Sequence, residues 1–151
     1  MSEDSGRWKF SNFRTVQIQG EDGILYPSVE HYYQAHKTSD VQQRRECLSM
    51  TPGEAKRWGQ TLVAPNWDSR KDEVMFNALK LRYLQDPHKW ELKTAKDEEL
   101  VEWNTWHDNY WGICTCSKCG SKLGKNRLGQ LLMSIRELVT NRDAARRSKF
   151  W

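Results

Sequence analysis

The stretch "GILYPSVEHYYQAHK", residues 23–37, contains the point at which an extended chain turns into a helix. Ile24 and Tyr26 alternate as strand residues do, and Pro27 then precedes Ser28, which is a typical N-cap residue. The residues that follow lack the Leu, Ile and Val stripe that a helix docked on a core should show. The stretch therefore predicts a strand followed by a polar, aromatic helix.

The chain before this helix is expected to form short strands joined by turns. In "TVQIQGEDGILY", residues 15–26, Val16 and Ile18 fall on one face of a strand, and "GEDG" is a turn sequence. The segment from 8 to 26 thus predicts a small N-terminal hairpin.

Three helices are expected after it. "TPGEAKRWG", 51–59, has a capping box at Thr51 and Glu54, with Pro52 at the first helical position and Gly59 at the end. Asp68 is placed to cap a second helix, which Pro87 stops; Met75, Leu79 and Tyr83 recur in it at every fourth position. The third carries one apolar stripe, which we take to be core: Leu128, Leu131, Leu132, Ile135, Leu138 and Val139.

Composition indicates a soluble globular chain without a membrane segment. The 151 residues are 37% hydrophobic and 29% charged, no apolar run has the length of a membrane span, and the N-terminus lacks a signal-peptide pattern. We therefore expect a cytoplasmic protein whose four cysteines are thiols or metal ligands, with Cys47 buried. The net charge of +4 suits an anionic ligand without requiring one.

A carboxylate, an amide and an amine share one face of the polar helix. Glu30, Gln34 and Lys37 lie within roughly 60° of one another on a helical wheel, and Glu30 is near the positive end of the helix dipole. These side chains could line a site. The alternative is a solvated face with an ion-pair network.

The segment "EWNTWHDNYWG", 102–112, interleaves acids with aromatic rings. Glu102, His107 and Asp108 alternate there with Trp and Tyr residues. Rings that hold a base or sugar, beside carboxylates that stabilise an oxocarbenium-like centre, suit cleavage of a nucleotide glycosidic bond. A tryptophan-rich core edge with surface acids is the alternative.

Two further motifs follow this segment. Cys114, Cys116 and Cys119, together with His107, could complete a structural zinc site, although C-x-C spacing disfavours two ligands on one metal; a zinc-free loop of reduced thiols is the alternative. In "GKNRLG", 124–129, Asn126 precedes the last helix, whose N-terminus could bind phosphate; an ordinary Asn cap is the alternative.

Taken together, these segments resemble the NADAR family (NAD- and ADP-ribose-associated proteins, with a YbiA-like fold). The resemblance runs over roughly residues 8–139 and rests on "FSNF" (10–13), "GILYPSVEHYYQAHK" (23–37), "TPGEAKRWG" (51–59), Trp67 with "VMFNALKLRYLQDP" (74–87), "LVEWNTWHDNYWG" (100–112) and "GKNRLGQLLMSIREL" (124–138). It implies a single-domain, mainly helical α+β fold over 1–151, with its core at about 8–139. The remaining residues, 140–151, form a basic tail that we expect to be solvated and frayed.

The resemblance also implies an N-glycosidase that cleaves the bond between ribose C1 and an exocyclic amine. It implies catalytic roles for Glu30, Lys37 and Asp108. The substrate-binding residues it implies are Asn12, Tyr33, Gln34, Trp67, Arg82, Glu102, Trp111, Gly112 and Asn126. This chain departs from the family at Arg82 and Tyr83, where many members carry Lys and Phe, and in a longer "CTCSKCGSK" stretch, 114–122, that is similar to a phage- and bacterium-associated subgroup.

Among the family's activities, we expect removal of ADP-ribose from guanine in nucleic acid. No cofactor is expected for catalysis, only a structural zinc ion, and an ADP-ribosyltransferase toxin is the expected counterpart. One alternative substrate is a phosphorylated ribosylamino-pyrimidine of riboflavin synthesis. An alternative of another class is a non-catalytic module that binds ADP-ribose or single-stranded nucleic acid.

Overall fold

The computed structural model describes residues 8–85, 90–120 and 124–148 of the chain. The chain divides into two compact units, Met1–Glu91 and Leu92–Trp151. The described residues form a mainly helical α+β structure with two small two-stranded sheets, which confirms the predicted fold class. No helix in these ranges combines the length and apolarity that crossing a membrane requires.

The described residues of the first unit form the N-terminal hairpin, four helices and the start of a fifth. Its elements are β1 (Ile18–Gln19), β2 (Leu25–Tyr26), α1 (Val29–Ala35), α2 (Val41–Arg44), α3 (Pro52–Gly59), α4 (Trp67–Gln85) and the first residues of α5 (Trp90–Thr94). Short 3-10 segments cover Trp8–Phe10 and Arg45–Ser49. The second unit continues with β3 (Trp103–Asn104), β4 (Ile113–Cys114) and α6 (Arg127–Ser148).

The predicted hairpin is present. β1 and β2 pair antiparallel, with Ile18 opposite Tyr26, and both of these side chains are fully buried. The turn between the strands includes Gly23 at a φ of 81°, a left-handed conformation that glycine adopts without strain. The hairpin sequence was therefore predictable from alternation and turn residues alone.

The helix α1 starts where the sequence predicted and is more deeply buried than a solvated face would be. The Ser28 hydroxyl accepts a hydrogen bond from the backbone N–H of His31 at 3.2 Å, which confirms the N-cap. All seven residues of α1 are buried, because the helix packs against both α3 and α4. Its polar side chains thus lie inside the first unit, and the alternative of a solvated ion-pair face is wrong.

The capping box predicted at the start of α3 is present. The Thr51 hydroxyl accepts from the Glu54 N–H at 3.2 Å, and the Glu54 carboxylate accepts from the Thr51 N–H at 3.0 Å. At the other end, Gly59 lies directly against Gln34 of α1; a Cβ atom added at Gly59 would be 2.8 Å from Gln34 Cδ. This glycine therefore lets the end of α3 approach α1 closely.

The helix α4 begins two residues earlier than an Asp68 cap predicts. Trp67 is its first residue and Asp68 lies within the first turn, so the expectation that Asp68 caps the helix is wrong. Asn66 precedes the helix with a φ of 58°, a left-handed conformation that asparagine tolerates. The stripe of Met75, Leu79 and Tyr83 is buried as predicted, whereas Pro87 lies outside the described residues.

In the second unit, α6 carries the predicted apolar stripe and extends beyond it. Leu128, Leu131, Leu132, Ile135 and Val139 are buried, each at 5% exposure or less. The helix continues to Ser148, so the expected frayed tail from residue 140 is wrong, although most side chains from 141 to 146 are exposed. Residues 149–151 of the tail lie outside the described ranges.

The two strands of the second sheet run parallel and hold the aromatic segment in place. Trp103 pairs with Ile113 and Asn104 with Cys114. Position 112, just before β4, has no room for a side chain, because a Cβ atom there would overlap the backbone carbonyl oxygen of Glu102. Packing therefore explains the glycine at this position, and the role of Gly112 in substrate binding stays a prediction.

Candidate active site and metal-ligand cluster

Glu30 is a buried carboxyl group with an amide partner. Its side chain is 7% exposed, and the Gln34 Nε2 donates to Glu30 Oε1 at 2.7 Å. Burial raises the pKa of Glu30 above its ordinary value, an effect opposed by the Gln34 hydrogen bond and by the charges of Lys56 and Lys37. Such a group can hold a proton closer to neutral pH than an exposed glutamate can.

Lys37 lies beyond the end of α1, which stops at Ala35, so it is not two turns along the same helix as the wheel suggested. Its Nζ donates to the Gly59 carbonyl oxygen at 3.4 Å, and Gly59 in turn lies against Gln34, the partner of Glu30. Burial lowers the pKa of Lys37, and the nearby Glu30 charge opposes that shift. Lys37 and Glu30 therefore influence each other's pKa within the first unit, although Lys37 lies outside the helix on which their spacing placed it, and their shared catalytic role stays a prediction.

Trp67 is flanked by one tyrosine and two cations. The Tyr33 ring meets it edge-on with centroids 5.1 Å apart, while Lys37 Nζ and the Arg70 guanidinium lie 5.7 Å and 5.5 Å from the Trp67 ring centroid. Sequence reasoning missed Arg70. Its position three residues after Trp67 was the signal that could have placed both on one face of a helix beginning at Trp67.

Two buried amide oxygens beside Glu30 have no hydrogen-bond donor within the described part of the chain. They are Asn12 Oδ1 and Gln34 Oε1. Asn12 adjoins Glu30 because its backbone oxygen accepts the Glu30 N–H at 3.1 Å, and its side-chain Nδ2 donates only to Met75 Sδ, at 3.7 Å. Leaving a buried acceptor unpaired costs about 1–3 kcal/mol, so a ligand hydroxyl that donated to either oxygen would be bound favourably.

Arg82, a predicted substrate-binding residue, is buried and bonded to backbone carbonyl groups. Its side chain is 1% exposed, and its guanidinium donates to the carbonyl oxygens of Ser11 and Lys9 at 2.9 Å and 2.5 Å. These bonds fix the chain immediately before Asn12. Arg82 thus positions a candidate site residue through the backbone.

In the second unit, Asp108 organises the turn that carries the aromatic residues. Its Oδ1 accepts the N–H groups of Tyr110 and Trp111 at 3.0 Å and 2.9 Å. Asn104, which sequence reasoning did not single out, donates to the Asp108 carbonyl oxygen at 2.6 Å and accepts its N–H at 3.1 Å. The catalytic role of Asp108 together with Glu30 stays a prediction.

Asn126 is also held inside its own unit. Its Nδ2 donates to the Leu100 carbonyl oxygen at 2.8 Å, and its Oδ1 accepts the Glu102 N–H at 2.9 Å. The residue has a φ of 51°, and it immediately precedes α6. Since its side chain bonds a distant loop instead of the first turn of α6, the alternative of an ordinary Asn cap is wrong.

The predicted metal ligands lie together. The ligand atoms of His107, Cys114, Cys116 and Cys119 are all within 4.8 Å of one another. His107 Nδ1 is 3.9, 3.3 and 3.5 Å from the three sulfur atoms in that order. None of the four cysteines of the chain forms a disulfide.

The sequence matches a known family and curated relatives over most of its length. The family model described as "NADAR domain" matches residues 2–140. "N-glycosidase YbiA" of Shigella boydii is 38% identical over 140 residues, which cover 90% of this chain and 82% of that protein. "Riboflavin biosynthesis protein PYRR, chloroplastic" of Zea mays is 35% identical over 150 residues, which cover 86% of this chain and 23% of that protein.

A solved structure shares the fold. The NMR structure of the Escherichia coli protein YbiA superimposes with a TM-score of 0.78 at 35% sequence identity. The superposition covers 95% of this chain and 84% of the YbiA chain. The comparison therefore extends to both compact units.

Proposed function

This chain belongs to the NADAR family, and from that membership we propose that it is an N-glycosidase, a hydrolase that cleaves the bond between ribose C1 and an exocyclic amine. The match to the NADAR domain model over residues 2–140 confirms the family resemblance noted in the sequence. The activity is supported by the name of the Shigella relative, which matches along nearly all of this chain. The proposed substrate is ADP-ribose attached to the amino group of guanine in nucleic acid.

The observation that carries the proposal is the buried group around Glu30. The pKa of the Glu30 carboxyl group is raised by burial, and its two hydrogen-bonded neighbours, Asn12 and Gln34, each carry a buried amide oxygen that has no donor among the described residues. Ribose hydroxyl groups are donors of the kind these oxygens would accept. A sugar held there would bring its anomeric carbon near an acid with a pKa suited to proton transfer.

The charges around Trp67 suit the rest of an ADP-ribose molecule. Lys37 and Arg70 lie at the indole ring, and Lys56 contributes to the potential at Glu30. Cations bind a pyrophosphate, and an indole face can stack on a nucleobase. These groups support a nucleotide sugar over a neutral sugar as the ligand.

Two chemical routes are open to these side chains. In the direct route, a carboxylate activates water, which attacks C1 as the amine leaves with a proton. In the covalent route, the ribose ring opens to an imine of the leaving amine, and the neutral Lys37 amine replaces it. Water then hydrolyses the lysine imine to the C1 aldehyde, while Glu30 carries the protons. The lowered pKa of Lys37 favours the neutral amine that the covalent route needs.

Borohydride trapping separates the two routes. The covalent route predicts that borohydride with substrate adds a stable ADP-ribosyl mass to the wild-type chain and not to Lys37→Ala. Lys80→Ala, at a half-buried lysine of α4 whose Nζ lies over the Phe76 ring, is the matched control and should be labelled like wild type. Equal labelling of Lys37→Ala and wild type would exclude the covalent route.

The substrate is tested by direct competition between two N-glycosides. Guanine-ADP-ribosylated oligonucleotide should be cleaved faster than a phosphorylated ribosylamino-pyrimidine. The second compound is the alternative substrate, which is favoured by the riboflavin name of the maize relative. Faster cleavage of the pyrimidine would move the assignment to that alternative, and the chain would remain an N-glycosidase.

The remaining alternative is a non-catalytic binding module. Glu30→Gln keeps the volume of the side chain and removes its acidity, so it should retain ligand affinity and lose turnover. Glu73→Gln, on an exposed position of α4, is the matched control and should leave both unchanged. If wild type binds ADP-ribose and cleaves neither N-glycoside, the binding module replaces the enzyme.

A further inference from the structure

We propose that His107, Cys114, Cys116 and Cys119 bind one zinc ion in a closed structural site in the second unit. The site stands on the geometry of these four side chains and does not depend on the proposed activity. None of the comparisons assigns a metal to this segment. Zinc is the metal that this combination of three thiolates and one imidazole fits.

The ligand distances agree with a tetrahedral zinc site. With Zn–N near 2.0–2.1 Å and Zn–S near 2.3 Å, a tetrahedron places nitrogen and sulfur ligands about 3.6 Å apart. The distances from His107 Nδ1 to the three sulfur atoms range from 3.3 to 3.9 Å, on both sides of that value. A single ion can therefore be placed within bonding distance of all four atoms after small side-chain rotations.

The backbone turn between Cys116 and Cys119 points both side chains inward. The Cys119 N–H donates to Cys116 Sγ at 3.4 Å, and the Gly120 N–H donates to the Cys116 carbonyl oxygen at 2.9 Å. Gly120 has a φ of 65°, the left-handed conformation for which glycine is best suited. An N–H directed at sulfur stabilises the thiolate form that binds metal.

The remaining two ligands come from the strand and the loop before it. Cys114 is the last residue of β4, and its alternate neighbour Cys116 can lie on the same face because side chains repeat every second residue in extended chain. This explains why C-x-C spacing supplies two ligands here. His107 has a φ of 69°, an uncommon conformation for a residue with a Cβ atom, which aims its imidazole at the sulfur atoms.

Four protein ligands leave no open coordination position, so the ion is structural. It would join β4 and the loop after it to His107, which adjoins Asp108. Asp108 in turn accepts the N–H groups of Tyr110 and Trp111. Loss of the ion should therefore loosen the turn that carries these aromatic residues.

The test begins with the metal content of the full chain, purified under reducing conditions. Elemental analysis should find about one zinc per chain in wild type and less than a tenth of that in Cys116→Ser and His107→Gln. Cys47→Ala is the matched control and should retain zinc, because Cys47 is fully buried in the first unit and burial raises the pKa of its thiol to about 11. Iron in place of zinc, zinc retention by both ligand variants, or equal loss in Cys47→Ala would overturn the assignment.

Wild-type protein gives a second measurement that does not depend on the folding of variants. After chelation and addition of Co²⁺, thiolate-to-cobalt charge-transfer bands and the visible bands of tetrahedral cobalt should appear, and zinc should displace them. Zinc should also protect three of the four thiols from alkylation, with mass mapping to the three cysteines of the site. Absence of the cobalt bands together with unprotected thiols would refute the site.

Discussion

Replacing Gly59 by alanine should disturb the buried hydrogen bond between Gln34 and Glu30, because Gly59 lies directly against Gln34. A Cβ atom at position 59 would overlap Gln34 Oε1 and lie 2.8 and 3.0 Å from Gln34 Cδ and Cβ. Gln34 is 4% exposed, so its side chain has little room to withdraw. The substitution must therefore shift either the end of α3 or the amide that donates to Glu30.

The magnitude follows from three contributions. Overpacking a filled site costs about 1–3 kcal/mol, and losing a hydrogen bond to a charged group costs about 1.5–3 kcal/mol. Alanine recovers about 0.5–1 kcal/mol relative to glycine in a helix. Together these contributions predict that Gly59→Ala lowers the free energy of unfolding by about 1.5–5.5 kcal/mol.

Gly53 of the same helix is the matched control. A Cβ atom added there has its nearest neighbour, Arg57 Nη1, at 3.8 Å, which is an ordinary contact. Gly53→Ala should therefore leave stability unchanged or raise it by up to about 1 kcal/mol. Urea unfolding followed by tryptophan fluorescence measures both variants. The reasoning is refuted if Gly59→Ala is as stable as Gly53→Ala, or if its cost is the same in a Gln34→Ala background, where the clashing amide is gone.

Substitutions at three other residues test further parts of the structure by the same unfolding assay, and a change of less than about 0.5 kcal/mol in Glu30→Gln, Arg82→Met or Asn126→Ala would contradict the expectation for that residue. Burial raises the folded-state pKa of Glu30, so wild-type stability is greatest at pH values below the unfolded pKa and falls as pH rises through the folded pKa; Glu30→Gln should remove that fall and be the more stable protein at neutral pH. Arg82→Met should lower stability by about 2–5 kcal/mol because it removes two hydrogen bonds of the buried guanidinium and leaves the Ser11 and Lys9 carbonyls with only their Arg14 donors, and Arg82→Lys should restore only part of the loss. Asn126→Ala should lower stability by about 2–4 kcal/mol, since two hydrogen bonds are lost and alanine is strained at a φ of 51°.

The helices could be predicted where local chemistry decides them. Ser28 and Thr51 bond to N–H groups three residues away, so their caps are visible in the sequence. The buried stripes of α4 and α6 follow from periodicity, which also acts over a few residues. The start of α4 was missed by two residues because Asn66, in a left-handed conformation, ends the preceding loop just before Trp67.

Side chains that bond to distant backbone could not be placed from the sequence. Arg82 donates to carbonyl oxygens 71 and 73 residues away, and Asn126 bonds to atoms 24 and 26 residues away. Nothing in their neighbouring residues indicates these partners. The metal-ligand cluster was predictable because all of its members fall within 107–119, where chain connectivity alone keeps them close.

The amide side chains of the two units differ in how many of their polar atoms have hydrogen-bond partners. In the second unit, both amide atoms of Asn104 and of Asn126 are hydrogen-bonded within the unit. In the first unit, Asn12 Oδ1 and Gln34 Oε1 are buried without a donor among the described residues, and burial opposes the ionisation of the Glu30 carboxyl group. Leaving a buried acceptor unpaired costs about 1–3 kcal/mol. These two amides are therefore the positions in the first unit where an added donor would be most favourable, whereas Asn104 and Asn126 already use their hydrogen-bonding groups to hold the backbone of residues 100–108.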